Sequence, residues 1–165
     1  MRLFPSLCVL ALCAASCSSS SLPAPQGPPV AVRREPGLDG RIAEFPRAGR
    51  VTLVDFWSTS CDPCKRMMPS FESLWQEHRN DGLDIVGVAT DDNPGLVAEQ
   101  LKSLGITYPN LLDTTGQVRG QYRVGPVPHS VVIDKQGRVR LSIAGGKDDD
   151  LQRVQQGVRE ALREN

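Results

Sequence analysis

Two nearly continuous apolar runs stand out in the pattern of hydrophobic and polar positions. Val51–Trp57 is rich in β-branched and aromatic residues, and Leu83–Ala89 directly follows the turn signal Asp81-Gly82. Runs of this length between turn signals are typical of central strands that are buried on both faces. Shorter strands are predicted over residues 41–45, 130–134 and 138–143.

Three further segments have apolar residues at intervals of three or four positions, which predicts amphipathic helices. The first is Asp62–His78, the second covers residues 94–104 and the third covers residues 149–163. Pro94 suits the first turn of the second helix, and Gly105 suits its end. Strands that alternate with helices, followed by a hairpin and a closing helix, predict an α/β domain of three layers (α/β/α) around a central mixed sheet.

The N-terminal residues have a different pattern and are predicted to lie outside this domain. An apolar run follows Arg2 but is too short to span a bilayer permanently, so residues 1–16 are predicted to form a cleaved signal peptide. Residues 17–37 contain a serine run and five prolines, and this composition predicts a disordered, extended tether. The folded domain is therefore predicted over residues 38–165.

Charge and cysteine content narrow the class of protein. The 19 basic and 19 acidic residues cancel, so neither nucleic acid nor an anionic membrane surface is an expected partner. Three of the five cysteines lie within the first 17 residues, and the other two are Cys61 and Cys64. Cys17 follows Ala-Ala-Ser, which resembles a bacterial lipobox and implies lipidation of Cys17; the alternative is ordinary cleavage without a lipid. Ser18 resembles the sorting signal of enteric lipoproteins that reside on the periplasmic side of the outer membrane.

The spacing of Cys61 and Cys64 at the start of the first predicted helix indicates redox chemistry. Residues three apart on a helix share one face, so the two sulfur atoms reach bonding distance. Cys61 lies beside the free backbone N–H groups and the positive end of the helix dipole, which stabilise a thiolate. Cys61 is therefore predicted to attack, and Cys64 to resolve the mixed disulfide. A structural zinc site would need two more ligands, and the two histidines, His78 and His129, are far apart in the sequence.

Two segments resemble thioredoxins. Residues 54–69 (VDFWSTSCDPCKRMMP) resemble the thioredoxin active site, with Pro63 before the second cysteine and Pro69 five residues after it. Residues 124–134 (VGPVPHSVVID) resemble the segment in which a cis-proline faces the disulfide, with Pro128 as the match. The resemblance covers residues 38–165 and is greatest to TlpA/ResA-like exported thioredoxins. It implies a thioredoxin fold, thiol–disulfide oxidoreductase activity, and an added segment within residues 101–122.

The resemblance also implies roles for single residues. Asp55 matches a buried acid that exchanges a proton with the resolving thiol; the alternative is a strand residue bonded to nearby backbone. Val127 matches the residue whose backbone pairs with a bound substrate chain, and Trp57, which matches a family aromatic, is expected to bind substrate. Asp92 matches an acidic residue near the site, although helix capping explains it equally well.

Two positions depart from the family pattern. Ser60 stands where the family has Trp before the first cysteine, which implies a more exposed disulfide or an altered partner surface. Asp62 stands between the cysteines, where a carboxylate opposes the Cys61 thiolate. The sequence therefore predicts a raised Cys61 pKa and a more reducing couple.

The expected partners are disulfide-containing protein substrates and a membrane electron donor of the thiol–disulfide type; no cofactor is expected, and any membrane contact is expected through the lipid anchor alone. One alternative is a copper chaperone, because Cys61, Cys64 and His129 would form a soft Cu(I) site of the kind that Sco-like proteins use. A peroxidase is disfavoured because the peroxiredoxin pattern needs Pro and Thr at positions that Val54 and Ser58 occupy.

Overall fold

The computed structural model describes residues 22–91 and 93–164. Seven strands and four helices are described there, together with a short 3₁₀ turn at Arg79–Asp81. The strands are β1 (Arg33–Pro36), β2 (Ile42–Phe45), β3 (Val51–Trp57), β4 (Leu83–Ala89), β5 (Asn110–Leu112), β6 (His129–Ile133) and β7 (Val139–Ala144). The helices are α1 (Asp62–His78), α2 (Pro94–Ser103), α3 (Gln117–Gln121) and α4 (Asp148–Arg163).

Five of the strands form a central mixed sheet in the order β5-β4-β3-β6-β7. β3 pairs in parallel with β4, and β4 with β5, whereas β6 and β7 join by antiparallel pairing. All seven residues of β3 are buried, as expected for a strand at the centre of a sheet covered on both faces. β1 and β2 form a separate two-stranded hairpin.

Alternate residues of β3 point to two different apolar layers. Val51 and Leu53 pack in one cluster with buried residues of α1 and α4. Val54 and Phe56 pack in a second cluster with residues from β2 and α3. The predicted α/β fold with a central mixed sheet flanked by helices is confirmed, and α1 lies on the sheet face that carries the odd-numbered residues of β3.

The N-terminal strap, residues 22–31, differs from the predicted disordered tether because it lies against the domain. Leu22 is buried in the cluster beneath α4, and a Cβ atom added at Gly157 would lie 3.2 Å from Leu22 Cδ2. The Gln26 backbone N–H donates to Val139 O, and the Val30 N–H donates to Gly137 O, both at 2.8 Å. The N–H groups that lie between the prolines therefore fasten the strap beside the start of β7.

Some predictions fall on residues beyond those described. The predicted signal peptide, the predicted lipidation site at Cys17 and Asp92 lie outside the described residues. Within residues 22–91 and 93–164, no helix is both long and apolar enough to cross a membrane.

Candidate active site

The two cysteines form a disulfide at the beginning of α1, where the turn brings their Cα atoms to 5.3 Å. Cys61 is the N-cap residue, and the Cys64 backbone N–H donates to its Sγ at 3.2 Å. Cys64 is 1% exposed and packs in the core, whereas Cys61 is partly exposed. A partner therefore has access to Cys61 first, which suits the predicted division between an attacking and a resolving thiol.

The start of α1 forms one wall of the site, and the loop that leads into β6 forms the other. The peptide bond between Val127 and Pro128 is cis, as the sequence predicts, and Pro128 is buried while Val127 is half-buried. Val127 and Cys61 both pack against the buried cluster that contains Cys64. The loop and the start of α1 therefore lie side by side.

Two glycines that the sequence analysis did not single out join these walls. A Cβ atom added at Gly146 would lie 2.5 Å from Pro63 Cβ and 2.9 Å from Pro128 Cγ. The Gly145 backbone N–H donates to Pro128 O at 3.0 Å, and the Gly145 φ angle of 143° favours glycine. The Gly-Gly pair between β7 and α4 was the available signal, because adjacent glycines mark a close backbone approach.

Asp55 lies in the middle of β3, on the sheet face covered by α1, and is 2% exposed. The Ser130 hydroxyl donates to Asp55 Oδ1 at 3.4 Å, and Asp55 Oδ2 has no hydrogen-bond partner among the described residues. Burial raises the pKa of Asp55 to about 7, and the long bond from Ser130 offsets only part of this effect. A carboxyl group with this pKa accepts and returns a proton near neutral pH.

Trp57 is placed differently from the prediction that it binds substrate. Its side chain is 0% exposed and packs with Cys64 and Met68, so it has no surface to offer a substrate. Its indole N–H donates to Asn110 Oδ1 at 3.0 Å. The reason is the alternation along β3, which turns Trp57 inward beneath the disulfide.

His129 does not join the two sulfur atoms. The strand register pairs His129 with Phe56, so its side chain belongs to the sheet face opposite α1. There its Nε2 lies 2.8 Å from Ser142 Oγ, and burial lowers the His129 pKa. Among the described residues, no group of three His, Cys, Asp or Glu side chains is arranged to hold a metal ion. The alternative Cu(I) site of Cys61, Cys64 and His129 is therefore not assembled.

Asp62 is exposed between the cysteines, but its charge is paired. The Lys65 ammonium lies 2.7 Å from Asp62 Oδ1, one helical turn along α1. This hydrogen bond, together with the positive charge of Lys65, lowers the pKa of Asp62. The carboxylate is ionised as the sequence analysis assumes, yet its repulsion of a Cys61 thiolate is partly offset by Lys65.

Asp91 is a site residue that the sequence analysis did not single out. Asn93 instead caps α2, accepting the backbone N–H groups of Gly95 and Leu96. Asp91 accepts hydrogen bonds from the backbone and the hydroxyl of Thr59, in the loop that leads to Cys61. Sequence alone offered no signal for this contact, because it joins residues 32 positions apart.

Comparison with known proteins agrees with this geometry. The model of the AhpC/TSA family matches residues 27–142. Thiol-disulfide oxidoreductase ResA of Geobacillus kaustophilus is 30% identical over 124 residues, which cover 74% of this chain and 70% of the relative. Sporulation thiol-disulfide oxidoreductase A of Bacillus subtilis is 27% identical over 111 residues, or 66% of this chain and 67% of the relative.

Solved structures show the same fold. A thioredoxin-family thiol:disulfide interchange protein from Chlorobium tepidum superposes with a TM-score of 0.71 at 26% identity, covering 84% of this chain and 99% of the other. StoA from Bacillus subtilis superposes with a TM-score of 0.67 at 25% identity, covering 77% and 96%. With its thioredoxin-like fold and its Cys61–Cys64 disulfide, the chain belongs to the AhpC/TSA family, among the thiol–disulfide oxidoreductases.

Proposed function

We propose that this oxidoreductase reduces disulfides of exported proteins by a two-step exchange. The observation that carries the proposal is the asymmetry of the pair, with a partly exposed Cys61 at the tip of α1 and a buried Cys64 behind it. The disulfide form described above is then the product state, which a dithiol donor must reduce before the next cycle.

In the first step, the Cys61 thiolate attacks one sulfur atom of a substrate disulfide. A bond forms between Cys61 Sγ and that sulfur, the substrate S–S bond breaks, and the other substrate sulfur leaves as a thiolate. We propose that the backbone of Val127, beside the cis-proline, pairs with the substrate chain next to the reacting sulfur. Beside this segment, Gly146 is packed closely against Pro63 and Pro128, which holds the start of α1 next to the cis-proline.

In the second step, Cys64 gives up its proton and attacks Cys61 Sγ. The Cys61–Cys64 disulfide forms, and the substrate sulfur leaves as a thiolate that takes up a proton, so two electrons have passed to the substrate. We assign the proton acceptor to Asp55, which lies on the same sheet face as α1 and has a pKa of about 7.

We propose that the protein acts outside the cytoplasm, anchored by a lipid on Cys17 to the periplasmic side of the outer membrane, and that a membrane protein of the thiol–disulfide class supplies its electrons. Support comes from the lipobox-like sequence and from Ser18 after it. Labelling of cells with a radioactive fatty acid tests the anchor. The wild type is expected to take up label and Cys17→Ser is not; equal labelling of both would contradict it.

Reduction of insulin by dithiothreitol tests the activity, followed as the turbidity of the released B chain. The wild type is expected to accelerate the reaction, and both Cys61→Ser and Cys64→Ser are expected to lose that acceleration. His129→Ala serves as the control, because His129 faces away from α1 and is expected to retain activity. Retained acceleration by Cys61→Ser would overturn the assignment of the attacking thiol.

A further inference from the structure

A carboxylate from the segment that follows β4 fastens the loop between β3 and α1. The Thr59 backbone N–H donates to both oxygens of Asp91, at 3.2 and 3.0 Å, and the Thr59 hydroxyl donates to Oδ1 at 2.6 Å. β3 and β4 run in parallel and end side by side at Trp57 and Ala89. Asp91 therefore reaches the loop from directly beyond the end of the adjacent strand.

Little else holds this loop, residues 58–60, in place. The Cys61 N–H donates to Ser58 O at 3.1 Å, and the hydroxyls of Ser58 and Ser60 lie 3.1 Å apart, but both contacts stay within residues 58–61. Among residues 22–91 and 93–164, the hydrogen bonds that join residues 58–60 to a residue beyond position 61 are those from Thr59 to Asp91. Asp91 therefore determines where this stretch of chain lies relative to the sheet.

The position of this stretch matters because Cys61 follows it directly. As the N-cap of α1, Cys61 receives the Cys64 N–H on its sulfur at 3.2 Å. The same N–H groups and the helix dipole stabilise the thiolate, and both effects fall off within the first turn. A small displacement of the loop would therefore weaken the stabilisation of the attacking sulfur.

We propose that Asp91 is a positioning residue for this centre, which through Thr59 holds Cys61 at the first turn of α1, where backbone N–H groups stabilise its thiolate. The inference rests on the proposed function, in which Cys61 is the attacking thiol. It gives Asp91 a role in setting the reactivity of that thiol, beyond the stability of the loop.

The charge of Asp91 acts in the opposite direction to its hydrogen bonds, since a nearby carboxylate raises a thiol pKa. Substituting Asp91 removes its hydrogen bonds and its charge together, and these two losses change the Cys61 pKa in opposite directions. Substituting Thr59 changes the hydrogen bonds alone. Thr59→Val removes the hydroxyl bond and keeps the charge of Asp91. Thr59→Ser keeps both donors and is the matched control.

The experiment measures how fast iodoacetamide alkylates Cys61 in the reduced full chain as a function of pH, with the site identified by peptide mapping. Thr59→Val is expected to raise the Cys61 pKa and to slow alkylation near neutral pH by about two- to tenfold, the range that one hydrogen bond accounts for. Thr59→Ser is expected to match the wild type. If Thr59→Val does not fold, as judged by circular dichroism, Thr59→Ala gives the same readout.

A double-mutant cycle with Asp91→Ala completes the test. If the two residues act through one contact, the effect of Thr59→Val disappears when Asp91 is already absent. Additive effects, or a Thr59→Val titration identical to that of the wild type, would overturn the inference while leaving the proposed function intact. Preferential alkylation of Cys64 in the wild type would instead overturn the proposed function, and the inference with it.

Discussion

At the scale of single residues, the buried carboxyl group of Asp55 makes stability depend on pH. Its pKa rises from 3.8 to about 7 on folding, because burial penalises the charged form. The folded state therefore holds the proton more tightly, so the stability that this proton provides is complete below the unfolded pKa and is lost as the pH rises through about 7. Asp55→Asn is expected to raise the free energy of unfolding at about pH 8, by a few kcal/mol at most, and to change it little at about pH 4.

Guanidinium unfolding of the oxidised protein at the two pH values measures this effect. Asp39→Asn removes an exposed carboxylate and is the control, expected to track the wild type at both values. If Asp55→Asn also tracks the wild type, the carboxyl group does not carry a raised pKa, and its role as proton acceptor for Cys64 fails too. The same variant is expected to slow the resolving step at neutral pH.

The pairing of Asp62 with Lys65 leads to a prediction about the Cys61 thiolate. Because the ammonium lies 2.7 Å from the carboxylate, Lys65→Met removes a positive charge and leaves the charge of Asp62 uncompensated. The Cys61 pKa is expected to rise and the couple to become more reducing, whereas Asp62→Asn is expected to lower the Cys61 pKa. Both shifts should stay below about one pH unit, since the pair is exposed to solvent.

Thiolate absorbance against pH measures the pKa, and equilibrium with a dithiothreitol buffer measures the couple. Arg66→Met removes the neighbouring, exposed cation and is the matched control, with a smaller expected effect. A fall in the Cys61 pKa on Lys65→Met would contradict the account of how charge acts at this helix end.

The sequence was sufficient to predict those site residues whose location depends on neighbours only a few positions away. Cys61, Cys64 and Pro128 lie where their motifs put them, because helix geometry and the X-Pro bond act over a few residues. The directions in which Trp57 and His129 point were beyond the reach of sequence reasoning, since the face to which a strand residue points depends on its register with neighbouring strands. The role of Asp91 was not predictable for a related reason, because its partner Thr59 lies in the loop after β3, 32 positions away in the sequence.

At the scale of elements, the strongly periodic segments were predictable and the short ones were not. β3, β4 and α1 have the predicted bounds, because long apolar runs and a clear helical stripe outweigh local ambiguity. β5 and α3, with three and five residues, have too few positions to show any period. They exist because long-range contacts such as the Gly87 N–H to Pro109 O bond hold them against the sheet.

The junction between α1 and the cis-proline loop yields a prediction for Gly146. Gly146→Val places a branched side chain where even a Cβ would lie 2.5 Å from Pro63 Cβ and 2.9 Å from Pro128 Cγ. The two walls must separate, so insulin reduction is expected to fall about tenfold or more, in line with the cost of overpacking. Gly120→Ala is the control, because an added Cβ there meets nothing within 4 Å. Equal activity of Gly146→Val and Gly120→Ala would show that the junction does not shape the site.

At the scale of the whole molecule, the N-terminal strap changes how the domain would sit on its proposed anchor. A free tether of about twenty residues would let the body move up to about 60 Å from the lipid. Leu22 is instead buried in the core beneath α4, so the chain between a lipid on Cys17 and the body could reach at most about 17 Å. With the proposed anchor, the strap would therefore keep the body closer to the membrane surface than a free tether would.

The central claim is that Cys61 attacks and Cys64 resolves, and trapping of the mixed disulfide tests it most directly. Reduced Cys64→Ser and Cys61→Ser are each mixed with a disulfide-containing unfolded protein, and the covalent product is mapped by mass spectrometry. The account predicts that Cys64→Ser accumulates a substrate joined through Cys61, while Cys61→Ser accumulates little because Cys64 is 1% exposed. Efficient capture through Cys64, or no capture by either variant, would contradict it.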